Sequence, residues 1–149
     1  MTDALLRPAT RADLPAIVAM LAEDTFNASW GPADDPAYAA AFDQIEADRQ
    51  NTLVVADRAG DVIGTMQLTY IPSLSNRGAE RLQIESVRVR SDQRGRGLGH
   101  EMIRWAVEQA KARGCGLVQL TTDKRRVDAH RFYASLGFIA SHEGMKLPL

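Results

Sequence analysis

The run "SVRVRSDQRGRGLGHEMIRWA", residues 86–106, places Gly95, Gly97 and Gly99 between a strand-like segment and a segment with helical periodicity. Glycine costs a helix interior about 1 kcal/mol relative to alanine, so three of them at a helix start call for a gain elsewhere. A helix N-terminus leaves several amides without intrahelical acceptors and carries roughly half a positive charge. Stripping side chains from that end lets an anion approach the amides, and Arg94 and Arg96 add full charge. The stretch predicts a strand–turn–helix unit whose turn cradles a diphosphate.

Other glycine turns fit less well. A nucleotide P-loop needs a lysine after its glycines, and none follows here. A dinucleotide fold has a strand before the turn and an acid near the end of the next strand, which Asp123 supplies. However, laying GxGxxG on Gly95 and Gly97 puts His100 where the third glycine must let helix and strand pack closely. The single clear βαβ unit also lies late in the chain. An RGG-type nucleic-acid contact is disfavoured because the motif runs into a regular helix and the formal net charge is -1.

The flanking pattern predicts the rest. "ALLRP" reads as a first strand, and Thr10 with Asp13 opens a helix carrying Leu14, Ile17, Val18 and Leu21 at helical spacing. Asp35 before Pro36 opens a second, running to about Asp48. "TLVVAD" and "VIGTMQLTYI" form a hairpin around "RAGD", and "RLQIESVRVR" extends it as a meander. The glycine helix runs from Leu98 to about Arg113, with Leu98, Met102, Ile103, Ala106, Val107 and Ala110 as its buried stripe. "GLVQLTT" is a buried strand, "VDAHRFYASL" a short helix, and "GFIASHEGMKL" a terminal pair of strands. The order βααβββαβαββ predicts one α+β domain over residues 1–149, a mixed sheet with helices on its faces.

Composition narrows the function classes. With 45% hydrophobic and 25% charged residues the chain is an ordinary globular one. Its N-terminus lacks a basic-then-apolar signal layout and no run reaches the roughly 20 apolar residues of a membrane span, so a cytoplasmic protein with no membrane partner is expected. Cys115 is the only cysteine, which excludes an internal disulfide framework and a cysteine-based zinc cluster and favours a buried structural thiol over a nucleophile. His100, His130 and His142 have no ligand spacing, so no metal is expected. Residues 1–60 carry four arginines against ten acids, whereas residues 81–113 carry eight basic residues against four acids. The basic segment suits an anionic partner and the acidic one a cationic partner.

"RGRGLG" resembles the R/Q-x-x-G-x-G/A motif of the GNAT superfamily of acetyl-CoA-dependent N-acetyltransferases. "IESVRVRSDQ" resembles that family's fourth strand and "DAHRFYASLGF" its A-x-x-x-Y-x-x-x-G-F segment, and the element order is similar over nearly the whole chain. The resemblance implies that the backbone from Arg94 through Gly95, Arg96, Gly97, Leu98 and Gly99 to His100 holds the coenzyme A diphosphate. It implies that Val87, Arg88 and Val89 pair with the pantetheine arm, with the amide of Val87 meeting the oxyanion. Tyr133 takes the place of the tyrosine that protonates the departing sulfur, and Glu85 that of the carboxylate base, acting directly or through water. Arg126 stands where many members carry an asparagine that reaches the pantetheine; its guanidinium is aimed instead at a coenzyme phosphate or an anionic substrate.

The implied activity is acetyl transfer from acetyl-CoA to a primary amine, with no nucleic acid involved; the resemblance leaves room for a homodimer. Local likeness to aminoalkylphosphonate acetyltransferases favours a small-molecule amine. A non-catalytic acyl-CoA sensor and an acetyltransferase of protein N-termini or lysines are the competing readings. Trp30, Asp34, Asp35 and Tyr38 lie where this superfamily walls its acceptor cleft, and acids there suit a cationic amine.

Overall fold

Residues 51–71 are rich in β-formers and broken only by "RAG", so the chain supplies its own first strand pairing there. The computed structural model describes residues 2–26 and 30–149. In it β2 (Asn51–Arg58) and β3 (Asp61–Ile71) form an antiparallel hairpin. Ala59 and Gly60 turn it with φ of 51° and 89°, the paired left-handed conformation whose twist matches the strands. Antiparallel β1 (Leu5–Pro8) joins β2, antiparallel β4 (Arg81–Val89) joins β3, and β5 (Leu117–Leu120) completes the order β1-β2-β3-β4-β5.

The helices longer than one turn are α1 (Leu14–Ala22), α2 (Pro36–Ala47), α3 (Leu98–Arg113) and α4 (Val127–Ser135), and a four-residue helical segment, Ser75–Gly78, lies between β3 and β4. The entry to α1 is anchored on β1. Arg7 donates to both oxygens of the buried Asp13 at 2.7 and 3.0 Å, and the Asp13 carboxylate accepts the Thr10 amide at 2.8 Å. The Arg7 bonds hold the Asp13 carboxyl below the usual range against the opposing effect of its burial.

Two adjacent residues of β2 show how the faces are assigned. Val55 packs with Ile17 and Met20 of α1 and with Val62. Ala56 points the other way: a Cβ added to its partner Gly64 would lie 3.3 Å from the Ala56 methyl and 2.8 Å from Met102 Sδ on α3. So α1 covers one face, α3 covers the other, and Gly64 is needed for the close approach of α3. Leu98, Met102, Ile103, Ala106 and Ala110 of α3 are buried and Val107 is half-buried. Burial of Leu98, Met102 and Ile103 contributes roughly 1.5–3 kcal/mol each.

The chain divides into two compact units, Met1–Gln119 and Leu120–Leu149. The expected order is observed through α4, but the terminal pair of strands is not: among the described residues none after Ser135 is helix or strand. A period-two pattern becomes a strand only where its backbone finds a ladder. Here the Ser141 amide turns back to the Ile139 carbonyl at 2.9 Å, and Ile139, Met145 and Leu147 are each at least 84% exposed. No apolar face is buried to fix a register.

Candidate active site

After β4, a 3-10 turn (Ser91–Gln93) leads into the glycines. Gly95 and Gly97 have φ of 75° and 88°, a conformation that side chains rarely adopt, and a Cβ on either would meet nothing within 4 Å. Gly97 is the N-cap of α3 and makes no side-chain cap bond among the described residues; the Glu101 amide donates to the Gly97 carbonyl at 3.2 Å. Arg94 and Arg96 are exposed, Gly99 and His100 are half-buried, and the Leu98 side chain belongs to the core. The turn therefore presents open backbone at the positive end of a 16-residue helix.

A set of charged contacts fixes this turn to three other elements. Arg90 donates to both oxygens of Asp61 at 2.6 and 3.0 Å, to those of Asp92 at 2.7 and 3.1 Å, and to the Val62 carbonyl at 3.2 Å. Its guanidinium pulls the Asp92 carboxyl down to about 2. Glu23, at the end of α1, accepts the Ser91 amide at 3.1 Å and lies 3.7 Å from Arg94. Arg94 Nε donates to the Val89 carbonyl at 3.1 Å. Gln93, only 8% exposed, accepts from Arg58 at 2.8 Å. In the first turn of α3, the Glu101 carboxylate accepts from the backbone amide and hydroxyl of Thr2.

β4 is irregular just before the turn. Thr65 pairs with Arg88 and Gln67 with Glu85, so Met66 of β3 faces two residues of β4, Ser86 and Val87. Such a bulge leaves one residue outside the ladder. Ser86 has φ of 53°, a conformation costing a non-glycine residue about 1–2 kcal/mol. Strain of that kind inside a strand concentrates at functional sites. Val87, Arg88 and Val89 are half-buried. Arg88 donates to the Val87 carbonyl at 2.9 Å and to Asp24 at 3.3 Å.

Glu85 is exposed and forms no hydrogen bond or ion pair among the described residues. It heads a set of polar side chains on the α1 face of the sheet. Cross-strand partners share a face, so Leu53, Gln67 and Glu85 form one row and Asn51, Thr69 and Gln83 the next. Asn51 Oδ1 accepts from Thr69 Oγ1 at 2.6 Å and Gln67 Nε2 at 3.1 Å, while Gln83 Oε1 accepts from Gln119 Nε2 at 2.8 Å. This carboxamide belt was not singled out from the sequence. Its only trace there is one Asn or Gln in each of four separate strands.

In the loop before α2, where the acceptor cleft was expected, residues 27–29 lie outside the described residues. Tyr38 donates its hydroxyl to the Trp30 carbonyl, and Asp35 caps α2 by accepting the Ala37 amide at 2.9 Å. Asp34 is exposed, and the Trp30 indole nitrogen is buried without a hydrogen-bond partner among the described residues.

The second unit holds Tyr133 on α4. Its half-buried ring stands edge-on to Phe132 and Phe138, with centroids 5.0 and 5.8 Å away. Arg126 is the N-cap of α4 and donates its amide to the Asp123 carbonyl at 3.0 Å. Asp123 accepts from the Arg125 guanidinium at 2.6 and 2.9 Å, which holds its carboxyl well below the usual range.

Cys115 is half-buried with its sulfur 3.8 Å from Glu80, and burial pushes its thiol upward, away from thiolate chemistry. No helix among the described residues is long and apolar enough to cross a membrane, and no cluster of three metal-ligating side chains occurs among them.

Comparison with known proteins supplies independent information. Residues 16–138 match the model of the acetyltransferase (GNAT) family. The chain is 31% identical to the aminoalkylphosphonate N-acetyltransferase of Salmonella typhimurium over 92% of its own length and 86% of that protein's. It is 32% identical to an L-methionine sulfoximine/L-methionine sulfone acetyltransferase of Pseudomonas aeruginosa, over 91% and 80%. The crystal structure of a transcriptional regulator from Bacillus halodurans superimposes with a TM-score of 0.93 at 44% identity, covering 98% of this chain and 99% of that one.

Proposed function

The chain belongs to the acetyltransferase (GNAT) family and is an N-acetyltransferase, and from that premise we propose that it moves an acetyl group directly from acetyl-CoA to the primary amine of a small molecule. The observation that carries this reading is the uncapped start of α3, where Gly95 and Gly97 leave backbone amides open. Those glycines fit a coenzyme diphosphate, because a side chain at either position would occupy the space the phosphates need. The backbone from Arg94 to His100 would hold that group, and β4 from Val87 to Val89 the arm behind it.

Acetyl-CoA supplies the activated acyl group, and the protein manages protons and charge. A free alkylamine has a pKa near that of lysine, about 10.4, so at neutral pH it is protonated and cannot attack. Glu85, exposed on β4, removes that proton directly or through a water. The Val87 amide, at the bulge, stabilises the oxyanion. Tyr133 gives a proton to the departing sulfur. Arg126 contributes a positive charge near the coenzyme phosphates.

The two curated relatives both act on small amines, which supports a small acceptor over a protein one. Calorimetric titration with acetyl-CoA, paired with a thiol-release assay across small amines, tests the reading. Saturable binding with amine-dependent thiol release is expected. Binding without release for any amine would instead describe an acyl-CoA-sensing module; the Bacillus halodurans neighbour is named a transcriptional regulator. No binding at all would overturn both.

A further inference from the structure

We infer that the acceptor amine carries an uncharged, oxygen-bearing polar group a few atoms along its chain, and that Gln67 and Gln83 read it. The inference rests on the acetyl-transfer reading only for the place of Glu85 as the end that meets the amine.

The observation behind it is the belt beside Glu85. Gln67 is the cross-strand partner of Glu85, and Gln83 lies two residues before it on the same face of β4. Each amide is half-spent. Gln67 uses its Nε2 on Asn51, leaving the carbonyl oxygen as an acceptor, and Gln83 uses its Oε1 to take the bond from Gln119, leaving the NH2 as a donor. Thr69 also points its hydroxyl at Asn51, and the Asn51 amide nitrogen donates to Asp48 at 2.8 Å. The network thus holds Gln67 and Gln83 in fixed orientations while keeping one acceptor and one donor unused among the described residues. Both residues are half-buried rather than sealed.

Spacing and charge define the ligand. Residues two apart on a strand are about 6.6–6.8 Å apart. From the amine at Glu85 to the Gln83 donor is therefore a span that fits an amine joined to its polar group by a short alkyl spacer. Apart from Glu85, both rows are uncharged. Arg81 stands on the same face four residues before Glu85, about 13 Å along the strand, and Arg88 is already paired with Asp24. A phosphonate dianion set near Glu85 would meet a like charge before it met a free cation. A sulfone or similar oxygen asks only for the neutral donor that Gln83 offers. A thioether offers that donor no oxygen, leaving it desolvated and unmatched.

The test uses three amines with one spacer: 3-(methylsulfonyl)propylamine, 3-(methylthio)propylamine and 3-aminopropylphosphonate. Their affinities for the full chain are measured by calorimetry in the presence of coenzyme A, with thiol release followed separately from acetyl-CoA. The sulfone should bind about tenfold more tightly than the thioether, and more tightly than the phosphonate. Gln83→Glu keeps the acceptor for Gln119 but removes the free donor, and its added charge acts on all three ammonium groups alike, so the sulfone's advantage over the thioether should be lost. Gln67→Met, which keeps the length of the side chain without its amide, should also weaken the sulfone. Tighter binding of the phosphonate, or persistence of the sulfone's advantage over the thioether in a Gln83→Glu variant whose melting temperature is unchanged, overturns the inference. Absence of thiol release with every amine would overturn the acetyl-transfer reading, and the binding order would still decide this one.

Discussion

The turn after β4 and the polar rows below the bulge are built on opposite plans. The turn offers backbone: Gly95 and Gly97 expose amides, and side chains serve to hold that backbone still, with Arg90 tying it to the β2–β3 hairpin and Glu23 tying it to α1. The rows below offer side chains: four strands contribute one carboxamide each, and the backbone beneath is ordinary ladder. A group common to every reaction cycle can be recognised by main-chain amides, which every residue but proline supplies. A group that defines one substrate needs side chains, which can be exchanged without disturbing the sheet.

That contrast can be broken experimentally, and the largest effect is expected at the side-chain end. Glu85→Gln should lower kcat by about 10²- to 10⁴-fold at neutral pH while acetyl-CoA affinity holds; equal losses in both would mean that the two regions do not act separately. A smaller effect is expected at the backbone end. Gly97→Val forces a β-branched residue to φ of 88° and fills the cradle, so acetyl-CoA should bind at least about tenfold more weakly with the thermal midpoint only modestly lowered. Unchanged affinity would show that these amides do not meet the coenzyme.

The smallest effect is in acid. Arg90 holds Asp61 and Asp92 below their ordinary values, Asp92 at about 2. A carboxyl with a depressed folded-state pKa adds stability that is complete above its unfolded value, about 3.9, and that disappears as the pH falls through its folded value. The thermal midpoint should therefore fall between pH 4 and 2, and less so in Asp92→Asn. A midpoint equally sensitive in that variant would mean that Asp92 is not part of what holds the turn.

The turn after β4 was legible in the sequence because glycine is legible: three at alternate positions before a helical stripe have few physical explanations. The hairpin was legible for the same reason, with "RAG" between two runs of β-formers. The belt was not, since Asn51, Gln67, Thr69, Gln83 and Gln119 are scattered over 69 positions and each alone is an unremarkable strand residue. Only strand register brings them together. The braces at Arg58, Arg90 and Glu23 were hidden likewise, because charge in sequence does not say which charge it will meet. The terminal strands were misread for the converse reason: alternation near Ile139 and Met145 is visible locally, while the absence of a ladder is not.

One residue of β4 remains surplus to the sheet. Between Thr65 and Gln67 the ladder needs a single partner, and the chain provides Ser86 and Val87. Removing Ser86 would let Val87 sit opposite Met66 while Glu85 stayed opposite Gln67 and Arg88 opposite Thr65, so every other residue would keep its face. The sheet could therefore be shortened by one residue at this point and become more regular, with a left-handed serine eliminated. What the surplus residue adds is length: it spaces Glu85 from Arg88 by one residue more than the ladder needs, a spacing that a deletion would remove and a substitution would keep.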